Sequence, residues 1–419
     1  SDQDGTTIVV DKPNLFTFTS FEVPEPAQLR IASYNVSMNR PNAGELAEDL
    51  AAGDDAQISL VAEALQRARP EIVLLNEFDH VYDEFGEFDR AATVQQIQDF
   101  LNNYLAVPQA DDVEAISYRY FYVAPNNTGV QSGFDLDNDG TVGDGGDGYG
   151  FGDFPGQFSQ ILLSQHRIIN GFARTFQLFR WVDMPGAFLP PDPQDSDNDG
   201  DTSSFYTAEE LEIFRLSSKS HWDIPVLVDG VGLVHILGSH PTPPVFDDGE
   251  AQTYPDPNVA DWNGLRNHDE IRFWADYITP SQGAYIYDDR EWAAAGNQPP
   301  ANPRGGLAGR ARFVIVGDQN ADPVDGDATF NPIELLLTNP RVDTSLTPTS
   351  AGALEQVPSD LNQRETKTAS FNLRADYALP SVLGWDMAGA WVYWPELSDI
   401  TADLLGASDH RMVVIDMVR

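Results

Sequence analysis

The chain has no cysteine, so disulfides and thiolate metal sites are excluded. Any metal must be held by oxygen or imidazole donors. Lysine is nearly missing too: Lys12, Lys219 and Lys367 are the whole set, and Lys plus Arg total 24 against 66 acidic residues. The formal charge of −42 repels polyanions at long range and argues against a processive grip on nucleic acid. It fits equally well a protein adapted to a salty exterior, where screening removes the repulsion and carboxylates maintain solubility. No apolar run approaches the ~20 residues of a membrane span. Hydrophobic residues nevertheless make up 41% of the 419, which supplies a sizeable core and excludes global disorder.

Residues 1–28, rich in Pro and Thr, read as an extended arm, and 29–419 as a single domain with insertions at about 125–157, 190–204 and 241–264. A strand is expected over Leu29–Met38, then a helix over Gly44–Ala68 from apolar residues spaced by three and four. Ile72–Leu75 reads as a strand delivering Asn76 and Glu77, followed by a helix over about Ala92–Tyr104. Further strands are expected in FSQILLS, VGLVHILGSH, FVIVGDQN, LRADYALPS, AGAWVYW and RMVVIDMV. Thr207 with Glu210 three residues on is a helix-capping signature, and His268–Ile278 reads as an amphipathic helix. Strand, helix, strand with polar residues at strand exits is the rhythm of a layered α/β fold.

Those exits carry the chemistry. Asn35, Glu77, His240, Asp318 and Asn320 each end or follow a short aliphatic run, and Ser408-Asp409-His410 precedes the last one. Carboxylates, imidazoles and carboxamides presented in this way suit binding a hard divalent cation and hydrolysing a phosphoester beside it.

The ordered motifs SYNV, NEF, GSH, GDQNADP, LRADYALPS and SDHR resemble the endonuclease/exonuclease/phosphatase superfamily, the DNase I-like fold, over about 29–419. The resemblance is greatest to secreted bacterial members in which an NTG…DLDNDG insertion precedes a strand like QFSQILLS. It implies a four-layer α/β sandwich, two mixed sheets with helices outside, and water attack without a covalent intermediate. On this chain it assigns Asn35, Glu77 and Asp409 to the metal, with Glu77 as the main anionic ligand. Asp318 and Asn320 would position the water and steady the phosphoryl oxygens. His240 and His410 would be the acid–base pair, the base being either, and Asp376 would orient a histidine, a task Asp318 could share. The metal is magnesium, calcium or manganese, since oxygen-rich sites accept all three. His80, His166 and His235 read as structural, with His235 on the opposite strand face from His240.

Four further residues are candidates for substrate phosphate. Lys219 and His221 lie in SSKSHWD before a strand, and Arg266 and His268 at an expected loop-to-helix junction. The two Asp-rich insertions point to structural calcium. Asp135, Asp137 and Asp139 with Gly140 occupy positions one, three, five and six of an EF-hand-like loop, with Asp144 and Asp147 nearby. Position twelve is Gly146 rather than an acid, so a different loop geometry is expected. Asp195, Asp197, Asp199 and Asp201 form the second set, whose position twelve is Tyr206.

The expected function is metal-dependent phosphoester hydrolysis, by a phosphomonoesterase or phosphodiesterase acting on a small or nucleotide-like substrate. The expected location is secreted or periplasmic, in high salt. The alternatives are an extracellular salt-tolerant nuclease, with nucleic acid as substrate, and a calcium-stabilised binding module without activity. No protein partner is evident.

Overall fold

A computed structural model describes residues 29–192, 195, 200, 202–247 and 261–418. The N-terminal arm, the second acidic loop's Asp197, Asp199 and Asp201, and 248–260 of the third insertion lie outside the described residues. The elements begin β1 (Leu29–Met38), α1 (Glu45–Ala52), α2 (Ala56–Ala68), β2 (Ile72–Phe78), α3 (Arg90–Asp99), β3 (Tyr120–Tyr122) and β4 (Gln160–Ser164). They continue with β5 (Arg167–Ile168), β6 (Arg174–Thr175), α4 (Ala208–Leu211), β7 (Trp222–Val228), β8 (Gly232–Gly238) and α5 (Trp262–Ile278). Two short helices (Asp289–Ala294, and Glu334–Leu337 after the next strand) flank β9 (Arg312–Asp318), before β10 (Asp376–Pro380), β11 (Asp386–Val392) and β12 (Val413–Val418).

The strands form two mixed sheets. One runs β11-β12-β1-β2-β4-β3, the other β10-β9-β8-β7-β5 with β6 also on β7. Among the described strands, the parallel pairs are β1 with β2 and β8 with β9. Side-chain alternation divides the core into three layers. Leu29, Ile31, Ile72 and Leu74 of one sheet pack on Ile224, Ile236, Val314 and Val316 of the other. On the outer face of the first sheet, Ala32, Tyr34, Val73 and Leu75 meet Leu46, Ile58, Leu65 and Ile97 of α1–α3. Outside the second, Leu237, Phe313, Ile315 and Tyr377 meet Ile271, Trp274 and Ile278 of α5. Helices, sheet, sheet, helices: this is the four-layer α/β sandwich. Among the described residues no helix is long and apolar enough to cross a membrane.

Several boundaries differ from the expectation. The helix expected over Gly44–Ala68 is two, because Gly53 ends α1 in the left-handed region (φ 74°) and Asp55 caps α2 by accepting from the Ile58 amide. Helix α5 starts at Trp262, six residues before His268, capped by Asp261, so Arg266 and His268 lie inside the helix and not at its junction. The 125–157 insertion buries Leu136 against the α5 side of the molecule.

Candidate active site

Parallel pairing sends the C-terminal ends of β1 and β2, and of β8 and β9, to one edge of the sandwich. The layer between the sheets uses even-numbered positions in β2, β8 and β9 and odd ones in β1, and both phases run on into polar residues. Asn35 continues β1, Asn76 continues β2, Asp318 ends β9, and His240 lies two residues beyond β8. The antiparallel neighbour supplies the next group, since Asp376 is the register partner of Asp318. Glu77 breaks the phase: alternation alone would aim it at the helices. Its φ of 59° turns it instead toward Asn35.

Asp318 is the hub. Its Oδ2 accepts from Asn35 Nδ2 at 3.1 Å and lies 3.4 Å from His240 Nε2 and 3.6 Å from His410 Nε2. Its Oδ1 accepts from the Asn320 amide at 2.9 Å. Asn35 Nδ2 also donates to Glu77 Oε1 at 2.9 Å, so one carboxamide clamps two carboxylates from two sheets. Asp376 Oδ2 lies 2.9 Å from His410 Nδ1 and accepts from Thr368 Oγ1 at 2.8 Å, which fixes that imidazole's orientation.

Burial pushes Asp318 up to about 7 and raises Glu77 as well, with the His410 charge opposing both shifts. The imidazoles split. Desolvation, then Lys219 and His410, hold His240 well below its usual range. For His410, burial pulls downward, but the Asp376 and Asp318 charges prevail and carry it up to about 10. His240 Nδ1 is buried without a partner among the described residues.

Glu77, His240 and Asp318 each offer a donor atom within 4.8 Å of one another. Two carboxylates and an imidazole converging in this way fit a divalent cation. Asn35 has one lone pair of its Oδ1 left beside the bond from the Ser37 amide. Asp409 stands apart from this group: it is exposed, and its Oδ1 accepts from Ser37 Oγ at 2.6 Å.

The four phosphate candidates separate. Lys219 lines a cleft of ≈ 750 Å³ together with Glu77 and His240. It is buried, desolvation lowers its pKa, and its ammonium makes no hydrogen bond or ion pair among the described residues. Arg266 lines the same cleft, with its Nε and Nη2 held by the Leu216, Arg215 and Tyr149 carbonyls. His221 and His268 do not fit the role expected of them. His221 has one ring nitrogen on Ser217 Oγ and the other on the Glu270 carbonyl, both at 2.9 Å. His268, two residues from Arg266 and therefore on another helix face, is buried against Asp269, Phe188 and Phe330.

In the first acidic loop, Asp135, Asp137 and Asp139 come together. Asp147 is outside that trio; its two oxygens accept the Leu136 and Gly143 amides, much as those of Asp135 accept the Asp139 and Gly140 amides. Asp144 accepts the Gly146 amide and, with Asp137, lies on the cleft wall. Asp195 accepts the Gly200 amide. His80, His166 and His235 bond the Gln160 carbonyl, Glu71 and Asp223, away from the cluster.

Sequence reasoning missed several supports. Asn76 spans the sheets by donating to the Ser239 carbonyl and accepting from the Asp318 amide. Thr368 binds Asp376, and Lys367 ties Asp322 (2.7 Å) and Asp325 (2.5 Å) of the loop after Asn320 to the approach to β10. The rarity of lysine was the available signal. Both described lysines are buried, Lys219 on the cleft and Lys367 on Asp322 and Asp325.

The model of the Endonuclease/Exonuclease/phosphatase family matches residues 32–410. A comparison with curated proteins gives no match. Among solved structures, the chain is similar to an endonuclease/exonuclease/phosphatase from Beutenbergia cavernae DSM 12333 (15% identity, TM-score 0.46, 93% of this chain and 71% of that one). It is also similar to sphingomyelinase C from Streptomyces griseocarneus (14%, TM-score 0.39, 94% and 100%) and to an AP endonuclease from Archaeoglobus fulgidus (11%, TM-score 0.39, 92% and 98%). On the family match, the chain belongs to the endonuclease/exonuclease/phosphatase family, and its chemistry at that level is phosphoester hydrolysis.

Proposed function

We propose that the protein is a metal-dependent phosphomonoesterase or phosphodiesterase for small esters, acting by direct attack of water. One observation carries this reading: Lys219 is a buried ammonium without a partner among the described residues, in the same cleft as Glu77 and His240. An unpaired buried cation is costly unless an anion joins it. A phosphoryl group resting on Lys219 meets the acid–base cluster at once.

Glu77 and Asn35 would hold the divalent cation, which when bound neutralises non-bridging oxygens and acidifies water. Asp318 accepts the proton of the attacking water, its carboxyl held near neutrality by burial. The water oxygen bonds to phosphorus and the bond to the leaving oxygen breaks. His410, kept cationic by Asp376, faces the phosphoryl group as hydrogen-bond donor and supplies the proton to the departing oxygen. Asn320 and His240 orient the two sides of Asp318.

The test is hydrolysis of p-nitrophenyl phosphate, bis-p-nitrophenyl phosphate and plasmid DNA, with Mg, Ca or Mn restored after EDTA. Glu77→Ala serves as the blank and Lys219→Met as the probe. Lys219→Met should raise KM by about tenfold or more at unchanged melting temperature, since a desolvated charge is removed. Unaltered kinetics would sink the role of Lys219. Plasmid cleavage without small-ester turnover would make the protein a nuclease.

A further inference from the structure

The cleft extends well beyond its Glu77, His240 and Lys219 end. Its remaining walls are largely apolar or aromatic, including Leu136, Phe158, Tyr206, Phe214 and Trp262. Arg266 stacks 4.5 Å over the Phe214 ring, and its Nε and Nη2 donate to the Leu216, Tyr149 and Arg215 carbonyls, which fixes it in the wall. Two polar groups on the lining lack partners among the described residues: the Tyr206 hydroxyl and Thr242 Oγ1. Both residues are more than nine-tenths buried, and an unmade hydrogen bond there is expensive until a ligand supplies it. Asp137 and Asp144 complete the wall. Gly146 permits this, since a Cβ there would lie 1.9 Å from Asp137 Oδ2.

We propose that this part of the cleft binds the leaving group of the ester and selects an aromatic or apolar alcohol that carries no negative charge. The inference rests on the reading above for the end at which the phosphoryl group sits. The cleft volume of ≈ 750 Å³ is that of a small-molecule site. Ring faces and edges favour an aromatic body, and a single ligand oxygen or nitrogen satisfies Tyr206. A second phosphate on the leaving group would lie against Asp137 and Asp144, where like charges repel. The same wall therefore disfavours a polynucleotide and a polyphosphate.

Calorimetry on the intact, magnesium-loaded protein tests this with non-hydrolysable phosphonates: methyl, benzyl, and benzyl bearing a ring trimethylammonium or a ring carboxylate. The neutral and cationic benzyl compounds should bind about tenfold or more tighter than methylphosphonate and than the carboxylate. Trp262→Ala should narrow the gap between benzyl and methyl. Asp137→Asn with Asp144→Asn should recover binding of the carboxylate. Equal affinity for methyl and benzyl compounds in the wild-type protein overturns the proposal, as does a carboxylate that binds as tightly as the neutral ring. The wild-type ligand series decides the matter even if a variant fails to fold. Turnover of phenyl phosphate, measured alongside, reports separately on the hydrolase reading: discrimination without turnover would sink that reading and keep the binding site.

Discussion

Asp376 meets Thr368 Oγ1 and His410 Nδ1 through one oxygen, while its Oδ1 is buried without a partner among the described residues. A carboxylate in that position fixes a tautomer and stabilises the imidazolium, and an amide does neither reliably. Asp376→Asn should therefore lower kcat by at least about 10²-fold with little change in KM. A KM effect at constant kcat would place Asp376 in substrate binding instead. His221 illustrates the opposite kind of histidine. Burial lowers its pKa to about 4, the Glu270 charge and carbonyl opposing. Between that value and the ordinary value near 6.5 the unfolded chain binds a proton that the folded one refuses. The contribution to stability is thus complete above about pH 6.5 and is lost as pH falls through this window, by up to about 3 kcal/mol. Urea unfolding at pH 7.5 and pH 4.5 should show that loss in the wild-type protein and a reduced one in His221→Gln. Equal losses in both would assign the acid sensitivity to other groups.

At the scale of elements, the site is the polar end of an apolar layer. Strands β8 and β9 approach so closely at their exit that a Cβ on Gly317 would lie 1.9 Å from the Ser239 carbonyl, and the φ of Gly317 is 142°. Gly317→Ala should cost at least about 2 kcal/mol and displace the neighbouring Asp318, reducing turnover beyond what the stability loss explains. A variant with the wild-type urea midpoint would mean that the backbone yields there. Asn35, His240 and Asp318 were legible because period-two alternation carries a face forward from aliphatic to polar residues. Glu77, which leaves that phase, and Asp376 and His410, which open or precede their strands, were legible from the order of motifs that resembles the family. The layered α/β class was legible from the strand, helix, strand rhythm, and the four-layer sandwich from the same resemblance. Arg266 and His268 were not separable without the phase of α5, which depends on where Asp261 caps it. His221 was ambiguous because its partner Glu270 comes from α5, distant in sequence. The pairing of β1 with β12, and the folding of the first acidic loop over the cleft, depend on contacts that no local pattern encodes.

For the whole molecule the dominant quantity is the charge of −42. Buried pairs such as Arg30 with Asp416 at 2.7 Å, and Lys367 with Asp322 and Asp325, absorb several of the few cations in the interior, so they do little to relieve surface repulsion. Folding brings the remaining carboxylates closer together, and self-repulsion then penalises the compact state. The Debye length falls from ~30 Å at 0.01 M salt to ~3 Å at 1 M, so the penalty is long-ranged in dilute buffer and nearly absent in brine. The melting temperature should therefore rise by several degrees from 0.01 to 1 M KCl, with most of the gain complete once the Debye length is shorter than the spacing between neighbouring carboxylates. Calcium at millimolar concentration separates two causes. If KCl alone gives the full rise, screening accounts for it and the acidic surface is an adaptation to salt. If KCl does little and calcium restores stability at an ionic strength too low to screen, the effect belongs to specific sites, of which the trio Asp135, Asp137 and Asp139 is the described candidate. Asp135→Asn should then abolish the calcium response and leave the KCl response intact.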